Sequence, residues 1–491
     1  MNDLLKQLVG PGRVITVIGD TIIDQSVFVN AHRFAQEAPN VPVYRTEGMN
    51  MALGGAAGIA IQAAMFGANV RLITAADRTV QAGLRHITSS LGGFGWYNIP
   101  VAGYRNEKKL RCYDAEAPNR LLTRIDFAYD REPATEQTLA AWEAQVRGVL
   151  EHLDGAAEQV LVVADYSKGM FDGMSAQWFC TLPHAELIRH VRKREAFASC
   201  DWCVMNAEEA AEVSRLPEMN AEGLQSAAMQ ALGLAAPHIV VTDGAEPLAL
   251  VTSDAGAQTV QYSATHWNEN LVPVDPVGGS DAVTACLALL RSVAAPVSPD
   301  TLMLAGLSCV CKAGATSAWL PEIASMLLAG SPFDVDNLAA LVAQGRGDKS
   351  RWHATIGFTN GCFDVLHAGH MHFLRQAQQY CDFLIVAVND DASVRRLKGD
   401  GRPVQSVAQR CAALYSTDLV DAIVIQHEDT PHRLLSAIQP NVLLKGYGYQ
   451  TPEEAVGHEV VTAYGGAVVV LPDGIPGLST TQIVNQVKST L

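Results

Sequence analysis

"TNGCFDVLHAGHMHFLRQA", residues 359–377, follows an apolar run and carries two histidines three apart around a glycine. An apolar run that ends in Asn-Gly reads as a buried strand, while Phe373, Leu374 and Ala377 recur at helical spacing. His367 and His370 therefore straddle a helix start, where unpaired backbone N–H groups and the helix dipole favour an anion. Gly369 removes the side chain that would hold a phosphate away from the backbone. Two imidazoles beside such amides suit the charge that builds on a phosphoryl group in transfer. Zinc would need third and fourth ligands at their own spacing, and none is in register here.

The strand–turn–helix unit recurs upstream. "VITVIGD" (14–20), "LGGAAGIAIQAAMFGANVRLIT" (53–74), "QVLVVADYSKG" (159–169) and "HIVVTDGAEP" (238–247) each show an apolar strand or a Gly-rich turn at a helix start. Strands that alternate with helices imply α/β layers with largely parallel sheets, and ligands at the carboxyl ends of the strands. At 491 residues the chain exceeds one core. The expected division is a large domain over 1–330, a linker with one short helix over 331–352, and a smaller domain over 353–491 that opens with a fresh strand at Thr355.

Composition narrows the function classes. Hydrophobic residues make up 48% and charged residues 18%, as in an ordinary globular protein. A formal net charge of −16 argues against an extended phosphate-binding surface for DNA or RNA. No apolar run reaches the ~18 residues of a membrane span. The opening "MNDLLKQLVGPGRVITVIGD" lacks the basic-then-apolar pattern of a secretory signal, so the expectation is a cytoplasmic protein with no membrane partner. Ten cysteines are scattered, with Cys200 and Cys203 the one CxxC, and read as reduced thiols.

The histidine pair has partners downstream in "RRLKGDGRP" (395–403), "LLKGYGY" (443–449) and "GLSTTQI" (477–483). Lys398 and Arg402 can neutralise a triphosphate, and Ser479, Thr480 and Thr481 look like a helix cap that presents hydroxyls and amides. With "NGCFDVLHAGH", "RLKGDGRP" and the terminal "STT", this segment resembles the cytidylyltransferase-type nucleotidyltransferases. The resemblance implies that His367, His370 and Lys398 act on the α-phosphate. It also implies nucleotide contacts from Thr359, Asn360, Gly361, Phe363, Gly369, Arg402, Lys445 and the Ser479–Thr481 cap. The reaction the resemblance implies is in-line attack of a substrate phosphate on the α-phosphorus of a nucleoside triphosphate, with Mg-pyrophosphate leaving and no covalent enzyme intermediate.

In the first domain the informative stretch is "VDPVGGSDAVTACLALL" (274–290). Gly278, Gly279 and Ser280 expose amides at a helix start, and Asp281 is placed to take a proton from an attacking hydroxyl. Before it come "GDTIID" (19–24), "LGGAAG" (53–58), "KKLRCY" (108–113), "RIDF" (124–127), "ADYSKG" (164–169), "NAEE" (206–209) and "VVTDG" (240–244). This succession resembles the ribokinase-like (PfkB) sugar kinases over residues 10–320. The resemblance implies Asp281 as the base. Asp24, Gly54, Gly55, Lys109, Arg111, Arg124, Asp165 and Lys168 would line the sugar-phosphate pocket. Asn206 and Glu209 would organise phosphates and Mg2+, with no dedicated metal site, and Thr242 and Gly244 would lie beside the nucleotide.

The fold class is thus α/β: a ribokinase-like three-layer domain followed by a smaller Rossmann-like domain with the HxGH motif. That tandem resembles the bifunctional family of heptose 7-phosphate kinases fused to heptose 1-phosphate adenylyltransferases. It implies ATP and Mg2+, small-molecule sugar phosphates as partners, and a homodimer through the kinase domain. Several positions depart from the pattern: Gly58 where a substrate-contacting Asn is usual, and Arg189, His190 and Arg192 where an apolar strand ending in Asp is expected. Pro247, Ser280 and Gly448 also replace a Gly, a Gly and an acid. They leave open a second reading, a nucleotidyltransferase for another sugar or polyol phosphate, CTP-dependent, with an altered or inactive kinase domain.

Overall fold

The computed structural model describes residues 12, 14–34, 42–129 except 90, 92, 102, 118 and 119, 135–191 except 154–157, 200–214, 236–263 except 244, 245, 255 and 256, 278–310, 324, 331–345, and 355–471 except 447. Gly244, Arg192 and the Ser479–Thr481 cap lie outside these residues. The chain divides into two compact units, one within Gly10–Trp319 and one within Leu320–Leu491.

The first unit contains β1 (Ile15–Gly19), β2 (Thr21–Phe34), β3 (Pro42–Gly55), β4 (Val70–Thr74), β5 (Phe94–Asn98), β6 (Lys108–Asp114), β7 (Leu121–Phe127), β8 (Val160–Asp165), β9 (Glu186–Val191), β10 (Trp202–Asn206), β11 (His238–Asp243), β12 (Glu246–Asp254) and β13 (Ala257–Tyr262). Nine of them form one sheet in the order β13-β12-β11-β10-β9-β8-β1-β4-β5, parallel except at β12 and β13. β1 and β8 are buried along nearly their whole length, as a parallel strand covered on both faces must be. The helix Glu136–Glu151 covers one face through Trp142, Val146 and Leu150, which pack with Ile18, Leu161 and Val163. Helices Ala56–Met65 and Gly279–Ser292 are rich in buried alanine, and small side chains let backbones approach closely. Strand order reverses at β1, so the crevice at the ends of β1 and β8 is the expected ligand position.

The strands β3-β2-β6-β7 form a separate four-stranded sheet. Its register sets Asp24 beside Lys109 and Arg111 beside Arg124. Many of its apolar side chains are exposed, among them Met49, Met51, Leu121, Ile125 and Phe127.

The second unit contains β14 (Ile356–Gly361), β15 (Phe383–Asn389), β16 (Ala422–Gln426), β17 (Val442–Lys445) and β18 (Ala467–Val470). Their order is β16-β15-β14-β17-β18, all parallel, with the first strand at the centre. The segment expected as a linker is part of this unit as far as it is described. The Phe333 amide donates to Ile423 O at 2.8 Å, pairing at the free edge of β16, and the helix Val335–Gly345 follows. The physical reason is burial: Phe333, Leu338, Leu341 and Val342 are all buried, which a solvated connector would not allow.

Candidate active sites

In the first unit the end of β1 delivers Asp20, a residue the sequence reading passed over in favour of Asp24. Its carboxylate accepts hydrogen bonds from the amides of Tyr166, Lys168 and Met170 at 3.3, 3.1 and 3.1 Å and from the Tyr104 hydroxyl at 3.2 Å. It therefore shapes the "DYSKG" turn after β8. Burial, with a smaller contribution from Asp165, pushes its pKa up to about 6. The signal was present in "GDTIID": an acid directly after the first buried strand.

The expected sugar-phosphate residues fall into two groups. Asp24 and Arg111 form a buried ion pair at 2.6 Å. A Cβ on Gly54 would collide with the Asp24 carboxylate, so the glycine is required by that packing. Gly55 holds φ +65° and caps the helix that starts at Ala56. Lys109 is buried beside Asp24 in register. Arg124 is exposed and grips Asp126 at 2.7 and 2.6 Å, which raises its pKa and lowers that of the acid. Lys168 pairs with Glu107 at 2.5 Å, and both line a cavity of about 280 Å3 with Ser167, Gly169, Asp172 and Tyr129. Glu107 was not anticipated.

Asp281 lies in the first turn of Gly279–Ser292, whose cap Gly278 takes φ 85°. The backbone freedom of glycine is needed there, and Ser280 enters the helix without strain. The Tyr166 hydroxyl donates to Asp281 Oδ1, and a Cβ on Gly58 would stand 2.7 Å from Oδ2. The turn after β8 and two helix starts thus meet at one carboxylate. Asn206 and Glu209 cap each other: the Asn206 amide donates to Glu209 Oε2 at 2.7 Å, and the Glu209 amide to Asn206 Oδ1 at 2.8 Å. One Glu209 oxygen is thereby occupied, so the pair reads first as a capping box for Ala207–Ser214. Among the described residues no cluster of three His, Cys, Asp or Glu is suited to a metal. Thr242 neighbours Asn206 in register across β10 and β11.

The departures in β9 prove to be buried. Side chains alternate along a strand, so Arg189 faces Phe179, 5.2 Å from its ring, and His190 faces the opposite side, where it meets Tyr166 and Thr284. The expected apolar strand is present, with a cation and an imidazole built into it.

In the second unit Thr359, Asn360 and Gly361 end the central strand, and Phe363 turns the chain with φ 45°. His367 is the cap of the helix Ala368–Ala377, and its ring stacks on His370 at 3.9 Å. One expectation changes. The Gly369 amide is not open to a phosphate, because it donates to His367 Nδ1 at 3.1 Å. That bond leaves the neutral His367 ring with its proton on Nε2. Burial and the adjacent His367 push His370 down to about 4, so it is neutral at pH 7 and offers an N–H rather than a charge.

The cations differ in availability. Lys445 is buried, donates to Asn360 Oδ1 at 2.5 Å, and is lowered to about 8 by burial. Arg402 is paired with buried Asp364 at 2.5 Å, so its charge is already matched. Lys398 is exposed at the end of Asp391–Lys398, close enough for its field to reach the Cys362 thiol. Sequence reasoning missed Arg410, which is fully buried. It donates to the carbonyls of Cys362, Asn389 and Gln405 at 2.6, 2.7 and 3.1 Å and to Asp391 at 2.7 Å, tying the Asn-Gly-Cys loop to two neighbouring elements. No local pattern marks it. A Cβ at Gly448 would meet nothing within 4 Å.

Residues 358–490 match the cytidylyltransferase-like family model. The chain is 32% identical over 511 residues to the bifunctional protein HldE of Caulobacter vibrioides, covering 100% of each. It is 34% identical over 497 residues to that of Pseudomonas fluorescens strain SBW25, covering 97% of each. Among solved structures, phosphofructokinase-2 from Escherichia coli in complex with potassium is 14% identical, with a TM-score of 0.48 over 64% of this chain and 97% of that one. The chain belongs to the HldE family of bifunctional proteins, and its second unit carries the cytidylyltransferase-like domain.

Proposed function

We propose that the first unit phosphorylates a heptose 7-phosphate at its anomeric oxygen with ATP, and that the second transfers AMP from ATP to the heptose 1-phosphate, releasing pyrophosphate. A separate phosphatase would act between the two steps. The observation that carries this reading is the pairing of a helix-start carboxylate, Asp281, in one unit with a helix-start histidine stack in the other. Neither constellation contains an activated nucleophile, as expected where catalysis is positioning and charge stabilisation.

In the kinase step the Asp281 carboxylate takes the proton of the anomeric hydroxyl while that oxygen attacks the γ-phosphorus and ADP leaves. The amides of Gly278, Gly279 and Ser280 face the transferred phosphoryl group. Lys109, Arg111, Arg124 and Lys168 supply cations for the 7-phosphate, with Asp24 and Glu107 holding two of them in place. In the adenylyl step the sugar phosphate oxygen attacks the α-phosphorus. The neutral His370, His367, Lys398 and Lys445 stabilise the charge there. Mg2+ bound to the triphosphate would leave with pyrophosphate. Open space at Gly448 favours one second reading, a larger or different acceptor or base, including CTP, at this site. The exposed apolar residues of the four-stranded sheet support a homodimer through the kinase domain.

The test follows ADP and pyrophosphate separately, with ATP or CTP and a panel of sugar phosphates. ADP formation from heptose 7-phosphate that Asp281→Asn abolishes, with pyrophosphate release unchanged, is the expected result. Pyrophosphate release with CTP but not ATP would overturn the adenylyltransferase assignment. No ADP from any sugar phosphate would overturn the kinase.

A further inference from the structure

We propose that Asp20 is a positioning residue for the sugar-phosphate cavity, holding Lys168 and Glu107 where the two meet. The inference rests on the kinase reading above, in which Lys168 receives the substrate's phosphate. Asp20 follows β1, and the turn that carries Lys168 follows the neighbouring strand β8. Parallel pairing of Gly19 with Ala164 sets the two side by side. Asp20 Oδ2 accepts from the amides of Tyr166 and Lys168, while Oδ1 accepts from the Met170 amide and the Tyr104 hydroxyl. Four donors converge on one buried carboxylate, and only a group with an acceptor at each end can receive them all.

The turn after β8 needs such a clamp. Ser167, between two of the held amides, takes φ 54°, and its own amide donates to Asp165 Oδ1 at 2.8 Å. A residue other than glycine stays in that left-handed region only where the bonds around it fix it there. Lys168 comes next, and its Nζ reaches Glu107 at 2.5 Å in the cavity the two line together. Glu107 is tied to the same corner from the other side. Tyr104, a donor to Asp20, precedes it by three residues, and Asn106 Nδ2 donates to Thr21 O at 2.8 Å. The backbone of Asp20 also accepts from the Ala56 amide at 2.9 Å, at the helix start after Gly55. One residue at the end of β1 thus fixes the cation through its turn and the acid through the Tyr104 segment.

Asp20→Asn keeps the size and turns an NH2 toward at least one backbone N–H. At pH 7.5, where a carboxyl near 6 is ionised, KM for heptose 7-phosphate should rise ~10-fold, as for weakened hydrogen bonds to a charged group. The kcat at saturation and KM for ATP should change less than about twofold, because Asp20 touches neither the reacting atoms nor the nucleotide. Acting through Lys168 has its own signature: in a Lys168→Met background, Asp20→Asn should add less than about twofold. If Asp20→Asn does not fold, Tyr104→Phe makes the same test, with KM up about threefold in wild type and unchanged in Lys168→Met. A KM unmoved, a loss confined to kcat, or equal effects in both backgrounds would overturn the proposal. Failure of the kinase reading looks different: wild type itself makes no ADP from any sugar phosphate. Crystal structures of wild type and either variant decide the proposal even then. A Lys168 ammonium displaced from Glu107 supports it, and an unmoved pair overturns it.

Discussion

The His370 ring gives the sharpest expected response to pH. Burial and the stacked His367 hold it at about 4, against 6.5 for a solvated imidazole. Between those values the unfolded chain binds a proton here that the folded chain does not. Stability linked to this ring is therefore intact above pH 6.5 and is lost progressively as pH falls toward 4. The gap between 6.5 and about 4 corresponds to roughly 3 kcal/mol in full, of which about 2 kcal/mol is gone near pH 5. His370→Asn removes the titration. Urea unfolding of the second domain at pH 7.5 and at pH 5 should show the wild type losing about 2 kcal/mol more than the variant. Histidine labelled with 13C at Cε1 checks the cause directly, because the resonance missing in His370→Asn identifies the ring. Titration of that resonance near 6.5, or equal pH dependence in both proteins, would refute the reasoning. Bound ATP should move the same resonance upward, since triphosphate charge favours the protonated ring.

His370→Ala should lower pyrophosphate release ~10²-fold or more, as for a lost transition-state donor, with ADP formation unaffected. Near-wild-type turnover would show that the ring is not at the reacting phosphorus. Arg410→Leu strips the donor from three carbonyls and from Asp391, and should destabilise the second domain by about 3–5 kcal/mol. A thermal or urea transition unchanged from wild type would count against that. The buried Lys445, lowered to about 8, should lose its charge above that pH in the free enzyme, so ATP binding weakens as pH rises through 8. In Lys445→Met, calorimetry should find weaker binding at pH 7 and no such limb.

Much of this protein is legible residue by residue. The strand at 356–361, the helix start at His367, the Gly-Gly-Ser turn before Asp281 and the "DYSKG" turn are local patterns, and the structure places each at a strand end or helix start. What neighbours them was less legible. Asp20 was passed over for Asp24 because the amides that hold its carboxylate lie 146 to 150 residues away. Asn206 and Glu209 read as phosphate and Mg2+ ligands, yet in space they first cap one another.

The same contrast runs through both domains. Hydrophobic period and glycine spacing act over a few residues, so the sequence alone established the alternating strands and helices of two α/β units and the order of their glycine-rich turns. Tertiary structure decided which groups hold those turns rigid. Tyr166 meets Asp281 across 115 residues, His190 meets Thr284 across 94, and Arg410 reaches Cys362 across 48. No periodicity encodes such contacts, because they arise only when strands distant along the chain lie side by side and exclude water from the polar groups between them.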